Sequence, residues 1–525
     1  MKQLFLKKGK IESLDVPTPP LKPNEILVKV AYSFISPGTE GATINESKKN
    51  VLQKCLTDTT QKVNTVVSAI KENGLAGTVA LIKHSLNKFV PIGYSCSGEV
   101  ISVGKNVNNF KFGDLVACAG AGIANHAQYV VVPKNLAVKI SKQASLKQAS
   151  ITTIGAIAMQ GLRRANLALG EKVCVIGLGL IGQLTVQLAK LAGCTVYGVD
   201  IDDSKLFLAQ KFGCDHVYNS HNVDITKDIP FNTEHNCVDA TIITAASQSG
   251  EIIQQAMEVT RRKGKVVLVG DVKIDYDRNP FYQKEIDFLI SCSYGPGRYD
   301  TRYEQQGIDY PYEYVRWTEN RNMQLFAQLV ESKKISVAPL ISHEFGFEQA
   351  SEAYKTLTEK NSGTCGIILK YDGQKSNKQE PISCPSISTH INVGVIGAGG
   401  FAKIKLLPLI SKIKHANIHT IIDTQIDNAI NVTNQYGSEE FHNNFHQAIN
   451  NKDIQALVIA TPHALHAEQS IEALKSGKSV FVEKPAATTR DDFLKLKTFL
   501  QTHYKSLYCV DFNRSFAPFI LNIKK

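Results

Sequence analysis

The segment that most restricts how this chain can fold is "VCVIGLGLIGQLTVQLAKLAG", residues 173–193. Its length and apolarity admit a membrane span, a buried core helix or the front of a nucleotide site. Gln183, Gln187 and Lys190 argue against the span. The glycines decide further: a short β-branched run leads into Gly177, Gly179 and Gly182 in G-x-G-x-x-G spacing, and a helical pattern follows as far as Gly193. That order predicts strand, tight turn and helix. Gly177 permits the turn, Gly179 lets a pyrophosphate approach bare backbone, and Gly182 lets helix and strand pack closely. The helix N-terminus attracts the phosphates.

The next apolar strand, within "CTVYGVDIDDSKLFLAQKFG", ends at Asp200, whose carboxylate is placed to accept hydrogen bonds from the adenosine ribose hydroxyls. Asp202 and Asp203 beside it would repel a 2′-phosphate, so the expected cofactor is NAD rather than NADP. A ligand-free βα unit would also tolerate the glycines; the acid at the end of the second strand favours the dinucleotide. Apolar runs at 238–246 and 264–271, separated by a helical stretch, extend the alternation. The expected class is α/β, with a doubly wound parallel sheet.

At 525 residues the chain exceeds a single core and should hold three or four structural units. Apolar residues form 43 % and charged residues 20 %, which excludes a disordered chain. The net charge of +11 comes from scattered lysines without long basic runs, so a nucleic-acid partner is not expected. A mild positive field would instead help an anionic cofactor or a phosphorylated substrate arrive. Eleven cysteines are dispersed with no C-x-x-C pair, which argues against a disulfide framework or a zinc ribbon. The opening "MKQLFLKKGKIES" has too short an apolar run for a signal peptide, and the expectation is a cytoplasmic protein without a membrane span.

Residues 1–145 carry short strands separated by Pro, Gly and Asn turns. Within them, "GYSCSGEVISVGKNVNNFKFGDLVA" resembles the signature of medium-chain dehydrogenase/reductases, the alcohol dehydrogenase superfamily, and the likeness runs on through "HAQYVVVPKNLAVKIS" into the glycine fingerprint. The resemblance implies a GroES-like substrate domain (1–145 with 316–372) and a first Rossmann NAD-binding domain (146–315). It also locates a departure. Where zinc members carry a Cys, a His-Glu pair and a third ligand, this chain has Ser36 in "FISPGTE", Tyr94-Ser95, and no ligand in "ITTIGAIAMQG". Hydroxyls replace thiolate and imidazole poorly, so no zinc or other metal is expected. Tyr94 and Ser36 then either donate a hydrogen bond to substrate in the vacated position, as catalytic candidates, or merely fill it.

Two further segments depart from the family pattern. Between Glu40 and Pro91 apolar residues recur at helical spacing, which reads as an inserted helical pair over the substrate cleft or at a subunit contact; a homo-oligomer is expected. Residues 291–322, "SCSYGPGRYDTRYEQQGIDYPYEYVRWTENRN", are crowded with Tyr, Arg and acidic groups. Together they resemble a bacterial group of two-domain oxidoreductases encoded beside surface-polysaccharide enzymes, which implies a sugar or nucleotide-sugar substrate. Arg298, Arg302 or Arg316 would hold phosphate and aromatic faces would stack on sugar or base, unless the segment is only an ordered surface loop.

After a polar linker at 373–390, "INVGVIGAGGFAKIKLLPLI" supplies Gly397, Gly399 and Ala402 as G-x-G-x-x-A, and a second strand ends at Asp423. NAD is again favoured. Downstream, "IQALVIATPHALHAEQSIEALKSGKSVFVEKPAA" resembles the glucose-fructose oxidoreductase, inositol dehydrogenase and MocA family. The resemblance implies that Thr461 and Pro462 line the dinucleotide with His463 or His466 nearby, that Glu483 and Pro485 flank the nicotinamide, and that Lys484 is catalytic and touches substrate or ribose. That family adds a second α/β domain of about two hundred residues, so 391–525 reads as a truncated second Rossmann domain. The composite expectation is an NAD-dependent oxidoreductase of carbohydrates or nucleotide sugars in surface polysaccharide synthesis. A zinc-free quinone or enone reductase and a non-catalytic NAD-binding protein stay open beside it.

Overall fold

The computed structural model describes residues 1–48, 89–359, 364–371, 391–502 and 506–511. Most of the expected inserted helical pair and the whole of the expected linker lie outside these residues. The chain divides into two compact units, the first drawn from residues between 1 and 371 and the second carrying 391–511.

The first unit opens with β1 (Lys2–Lys7), β2 (Lys10–Asp15) and β3 (Glu25–Ile35), followed by a helix, Pro37–Lys48. β4 (Val90–Pro91), β5 (Ser95–Val103), β6 (Leu115–Ala119), β7 (Tyr129–Pro133) and β8 (Ala137–Lys139) come next. β3 alternates buried and less buried positions from Glu25 to Val30, as a strand with one face on a core must. A helix, Thr152–Ala165, then leads into β9 (Lys172–Ile176), and β10 (Thr195–Asp200), β11 (His216–Asn219), β12 (Val238–Ile243), β13 (Thr260–Leu268) and β14 (Asp287–Ile290) alternate with helices. The last elements of the unit, β15 (His343–Gly346) and β16 (Ile367–Lys370), return to the first sheet.

That sheet is mixed, in the order β15-β16-β3-β5-β6-β8 with β7 also on β3. The second is parallel throughout, in the order β11-β10-β9-β12-β13-β14. Renumbered from β9, this is 3-2-1-4-5-6, whose order reverses between β9 and β12 and so leaves a crevice at their carboxyl ends. β9 is covered on both faces, hence its unbroken apolar run: Val173 and Val175 pack with Val186 and Ala189, while Cys174 and Ile176 face Ile253, Ala256 and Met257.

The second unit repeats the plan with β17 (Ile391–Ile396), β18 (Ala416–Ile422), β19 (Glu440–His442), β20 (Ala456–Ile459), β21 (Ser479–Glu483) and β22 (Tyr508–Asp511). Its parallel order, β19-β18-β17-β20-β21-β22, is again 3-2-1-4-5-6. Among the described residues no helix is long and apolar enough to cross a membrane.

Candidate functional site

The turn after β9 has the geometry that the glycines require. Gly177 lies at φ +94°, and a Cβ there would stand 2.6 Å from the Ala245 backbone nitrogen. A Cβ on Gly182 would stand 2.0 Å from the Gly177 carbonyl oxygen, so only glycine lets the helix Leu180–Leu191 approach the turn. Gly179 differs: a Cβ there meets nothing within 4 Å, and the residue caps the helix N-terminus. Open space beside unpaired helix N–H groups is what a pyrophosphate needs. The Thr244 hydroxyl donates to the Gly177 carbonyl and holds the turn to the end of β12.

Asp200 is the last residue of β10. Its Oδ2 accepts from the Leu178 N–H at 2.7 Å, and its Oδ1 from the N–H groups of Ile201 and Asp202 at 2.8 and 3.0 Å. Of the roughly four lone-pair sites of a carboxylate, one on Oδ2 is left over for a ribose hydroxyl. Lys205 Nζ stands 3.6 Å from Asp200 and 3.9 Å from Asp202, a partial neutralisation that reading the acids alone had not included.

The second unit reproduces this cradle. Gly397 lies at φ +91°, with a Cβ position 2.5 Å from the Ala460 carbonyl oxygen, while Gly399 is open to 4 Å and Ala402 is buried. Asp423, one residue past β18, accepts from the Ala398 N–H at 2.8 Å and, through Oδ1, from the Gln425 N–H at 2.8 Å. Leu178 and Ala398 each follow the first fingerprint glycine. Two unlike sequences thus tie an acid to the same point of the same turn.

At the carboxyl ends of β20 and β21, Thr461 and Pro462 stand opposite Glu483, Lys484 and Pro485. The Thr461 hydroxyl donates to Gln469 at 2.6 Å, and Lys484 is exposed. His466 is fully buried, with Nδ1 2.8 Å from the Pro485 carbonyl oxygen and Nε2 2.8 Å from that of Thr461. Both nitrogens stand against protein carbonyls, one of them donating its N–H in the neutral ring, so the ring braces the two loops rather than reaching out to a dinucleotide. Glu483 lies in register with Asp511 across β21 and β22. Burial first, and then the Asp511 carboxyl, push Glu483 up to about 7 against the pull of Lys484.

In the first unit, Ser36, Tyr94 and Ser95 occupy the positions at which the resemblance places metal ligands, and all three are buried. The Ser95 hydroxyl is spent on the Ser150 carbonyl at 2.6 Å. Tyr94 contacts the hydroxyls of Ser36 and Thr39, and burial first, then the Glu40 charge, push its phenol up to about 12. Within "ITTIGAIAMQG", the Thr152 hydroxyl donates to the Ala149 carbonyl at 2.7 Å and that of Thr153 to the Cys118 carbonyl at 3.3 Å. Among the described residues no three His, Cys, Asp or Glu side chains converge. A donor set of neutral hydroxyls does not fit zinc.

Segment 291–322 follows β14 at the carboxyl edge of the sheet. Of its four arginines, Arg298 is committed to Glu304 at 2.7 Å, with both side chains largely covered, and Arg321 is paired with Asp309. Arg302 and Arg316 are exposed. Trp317 lies between two guanidinium groups, Arg163 at 3.4 Å and Arg316 at 3.8 Å from the ring centre. Sequence reasoning passed over Glu40, His126, Glu319 and Asp511. Glu40 closes "FISPGTE", His126 opens "HAQYVVVPKNLAVKIS" and Glu319 lies in the Tyr- and Arg-rich segment, yet no local spacing links any of them, or Asp511, to the positions they face.

Residues 59–142 match the model of the alcohol dehydrogenase GroES-like domain, 181–306 that of zinc-binding dehydrogenases, and 391–511 that of an oxidoreductase family with an NAD-binding Rossmann fold. An L-idonate 5-dehydrogenase of Vitis vinifera is 25 % identical over 334 residues, 55 % of this chain and 83 % of the relative. The fold is similar to that of galactitol-1-phosphate dehydrogenase from Escherichia coli, at TM-score 0.54 and 18 % identity, over 70 % of this chain and 100 % of that one. It is equally similar to an alcohol dehydrogenase from a Thermus species, at TM-score 0.54 and 17 % identity, over 71 % and 100 %.

Proposed function

The chain joins a module of the alcohol dehydrogenase superfamily to a module of the NAD-binding oxidoreductase family, and from that premise we propose that it is a metal-free, NAD-dependent dehydrogenase of a polyol or sugar. That it is an NAD(P)-dependent oxidoreductase follows from both families. Preference for NAD, absence of metal and substrate class are the proposal.

One observation carries it: within a single compact unit a dinucleotide cradle ending in Asp200 accompanies a buried hydroxyl pair, Tyr94 and Ser36, in place of metal ligands. Bound NAD would supply a hydride acceptor. Gly179 and the helix N-terminus would hold its phosphates, and Asp200 its ribose. Tyr94 would donate a hydrogen bond to the oxygen of the reacting carbon, and burial would exclude water from that bond. The names of the similar dehydrogenases support a polyhydroxylated substrate. The exposed Arg302 and Arg316, beside the Tyr- and Trp-rich segment, support a phosphorylated or nucleotide-linked sugar, as surface polysaccharide synthesis would use.

The test combines calorimetry, elemental analysis and a substrate panel. Asp200→Ala is expected to weaken NAD by about 10- to 100-fold, at 1.4 kcal/mol per factor of ten, and Tyr94→Phe to lower kcat by about 100-fold or more. A stoichiometric zinc ion in active protein would sink the metal-free reading. Turnover of conjugated ketones with NADPH, and of no sugar, would replace the dehydrogenase by an enone reductase.

A further inference from the structure

Behind the Ser36–Tyr94 pair lies a chain of polar side chains, buried except for the half-buried Tyr371, drawn from five separate stretches of sequence. Glu40 comes from the helix Pro37–Lys48, Ser33 from β3, and His126 from the loop before β7. Tyr354 comes from the helix Ala350–Thr358 and Tyr371 from the end of β16. Glu40 Oε2 accepts from the Tyr354 hydroxyl and lies 3.1 Å from His126 Nε2. His126 Nδ1 lies 2.7 Å from Ser33 Oγ, which lies 2.9 Å from the Tyr371 hydroxyl. With Nε2 donating to the carboxylate, Nδ1 can accept from Ser33 and Ser33 from Tyr371. Every hydrogen then points along one line, from Tyr371 to Glu40, and Tyr354 donates from the far side.

The line ends beside Tyr94. The Glu40 N–H donates to the Ser36 carbonyl at 3.2 Å, and the neighbouring Thr39 hydroxyl contacts the Tyr94 phenol. The His126 N–H donates to the Ile92 carbonyl at 2.9 Å, which locks the histidine to the backbone that presents Tyr94. Glu40 is only 6 % exposed, and its Oε1 has no hydrogen-bond partner among the described residues. A desolvated charge compensated at one oxygen and not at the other acts strongly on its surroundings. Besides His126 and Tyr354, the titratable groups within its influence are Tyr94 and Tyr371, with Cys96 against Tyr371.

Resting on the reading of Tyr94 given above, we propose that Glu40, clamped by His126 and Tyr354, is a positioning residue that keeps the Tyr94 hydroxyl a hydrogen-bond donor toward the substrate oxygen. Its negative charge opposes formation of a tyrosinate next to it. Tyr94 therefore polarises a carbonyl or steadies an alkoxide, and does not serve as the base that removes a proton from an alcohol.

Full-length protein labelled with 13C-tyrosine, with the Tyr94 resonance assigned through Tyr94→Phe, tests this. In the parent, Tyr94 is expected to stay protonated beyond about pH 10, where an ordinary tyrosine is half ionised. Glu40→Gln should bring its ionisation down by about one unit or more, whereas Tyr354→Phe, which keeps the charge, should leave it raised. Glu40→Asp withdraws the charge by one methylene and should give a smaller shift in the same direction. It is the variant to use where Gln does not fold. A Tyr94 titration that both Glu40 variants leave unmoved, or that is ordinary in the parent, overturns the proposal. Full turnover by Tyr94→Phe would instead overturn the functional reading beneath it, and the two failures are separately visible.

Discussion

Gly179 and Gly182 are two positions apart in purpose as well as in spacing. A methyl group on Gly182 would collide with the Gly177 carbonyl at 2.0 Å, whereas one on Gly179 has free space for 4 Å around it. Gly182→Ala is therefore expected to destabilise the protein by about 1–3 kcal/mol, the cost of forcing helix and turn apart. Gly179→Ala should cost only about 0.5–1 kcal/mol, as for loss of a glycine cap, yet weaken NAD by about tenfold or more because the methyl occupies the pyrophosphate's approach. Thermal melts and calorimetry on the two variants separate the roles; equal effects on both measurements would show that neither glycine faces a ligand. The same distinction between holding and touching applies to His466, whose ring is spent on bracing the loops of Thr461 and Pro485.

At the scale of an element, the segment between β14 and the helix Glu319–Glu331 is organised around charge taken out of water. Glu319 is fully buried, and neither of its carboxyl oxygens has a hydrogen-bond partner among the described residues. Burial first, then the Glu304 charge, push it from 4.5 up to about 9 despite Arg298. The folded state thus binds a proton that the unfolded chain releases. The stabilisation from the protonated form is complete below pH 4.5 and is lost progressively as pH rises through about 9. Glu319→Gln keeps size and neutrality and should escape this loss. Its melting temperature should match the parent's near pH 4.5 and exceed it at the alkaline end by on the order of 5 °C. A constant gap across the range would mean that Glu319 is ionised in the folded protein.

For the whole molecule, two units with the same 3-2-1-4-5-6 strand order each close a glycine turn with an acid, through Leu178 and Asp200 in one and Ala398 and Asp423 in the other. Two equivalents of NAD per chain are therefore expected in calorimetry, and Asp423→Ala should abolish one of them while leaving the other unchanged. One equivalent in the parent would show that the second cradle is a scaffold alone. Both cradles were legible beforehand because everything they need is local: the turn, the helix start and the acid lie within about 25 residues of one another. The α/β class was legible for the same reason, since strands buried on two faces announce themselves as short apolar runs. The Lys205 contact that softens Asp200, the carboxylate pair of Glu483 and Asp511, and the line from Tyr371 to Glu40 were not legible. The last of these joins residues as far apart as Ser33 and Tyr371, 338 positions, and none of the three has a spacing that marks it, because the partners meet only once strands and helices are packed. Periodicity and spacing along the chain determined the two βαβ units and, in each, the glycine turn and the acid that closes it. Which buried carboxylates keep their protons, and which hydroxyl is held ready to donate, was decided by packing, because burial and through-space charge are properties of the folded arrangement and have no period in the sequence.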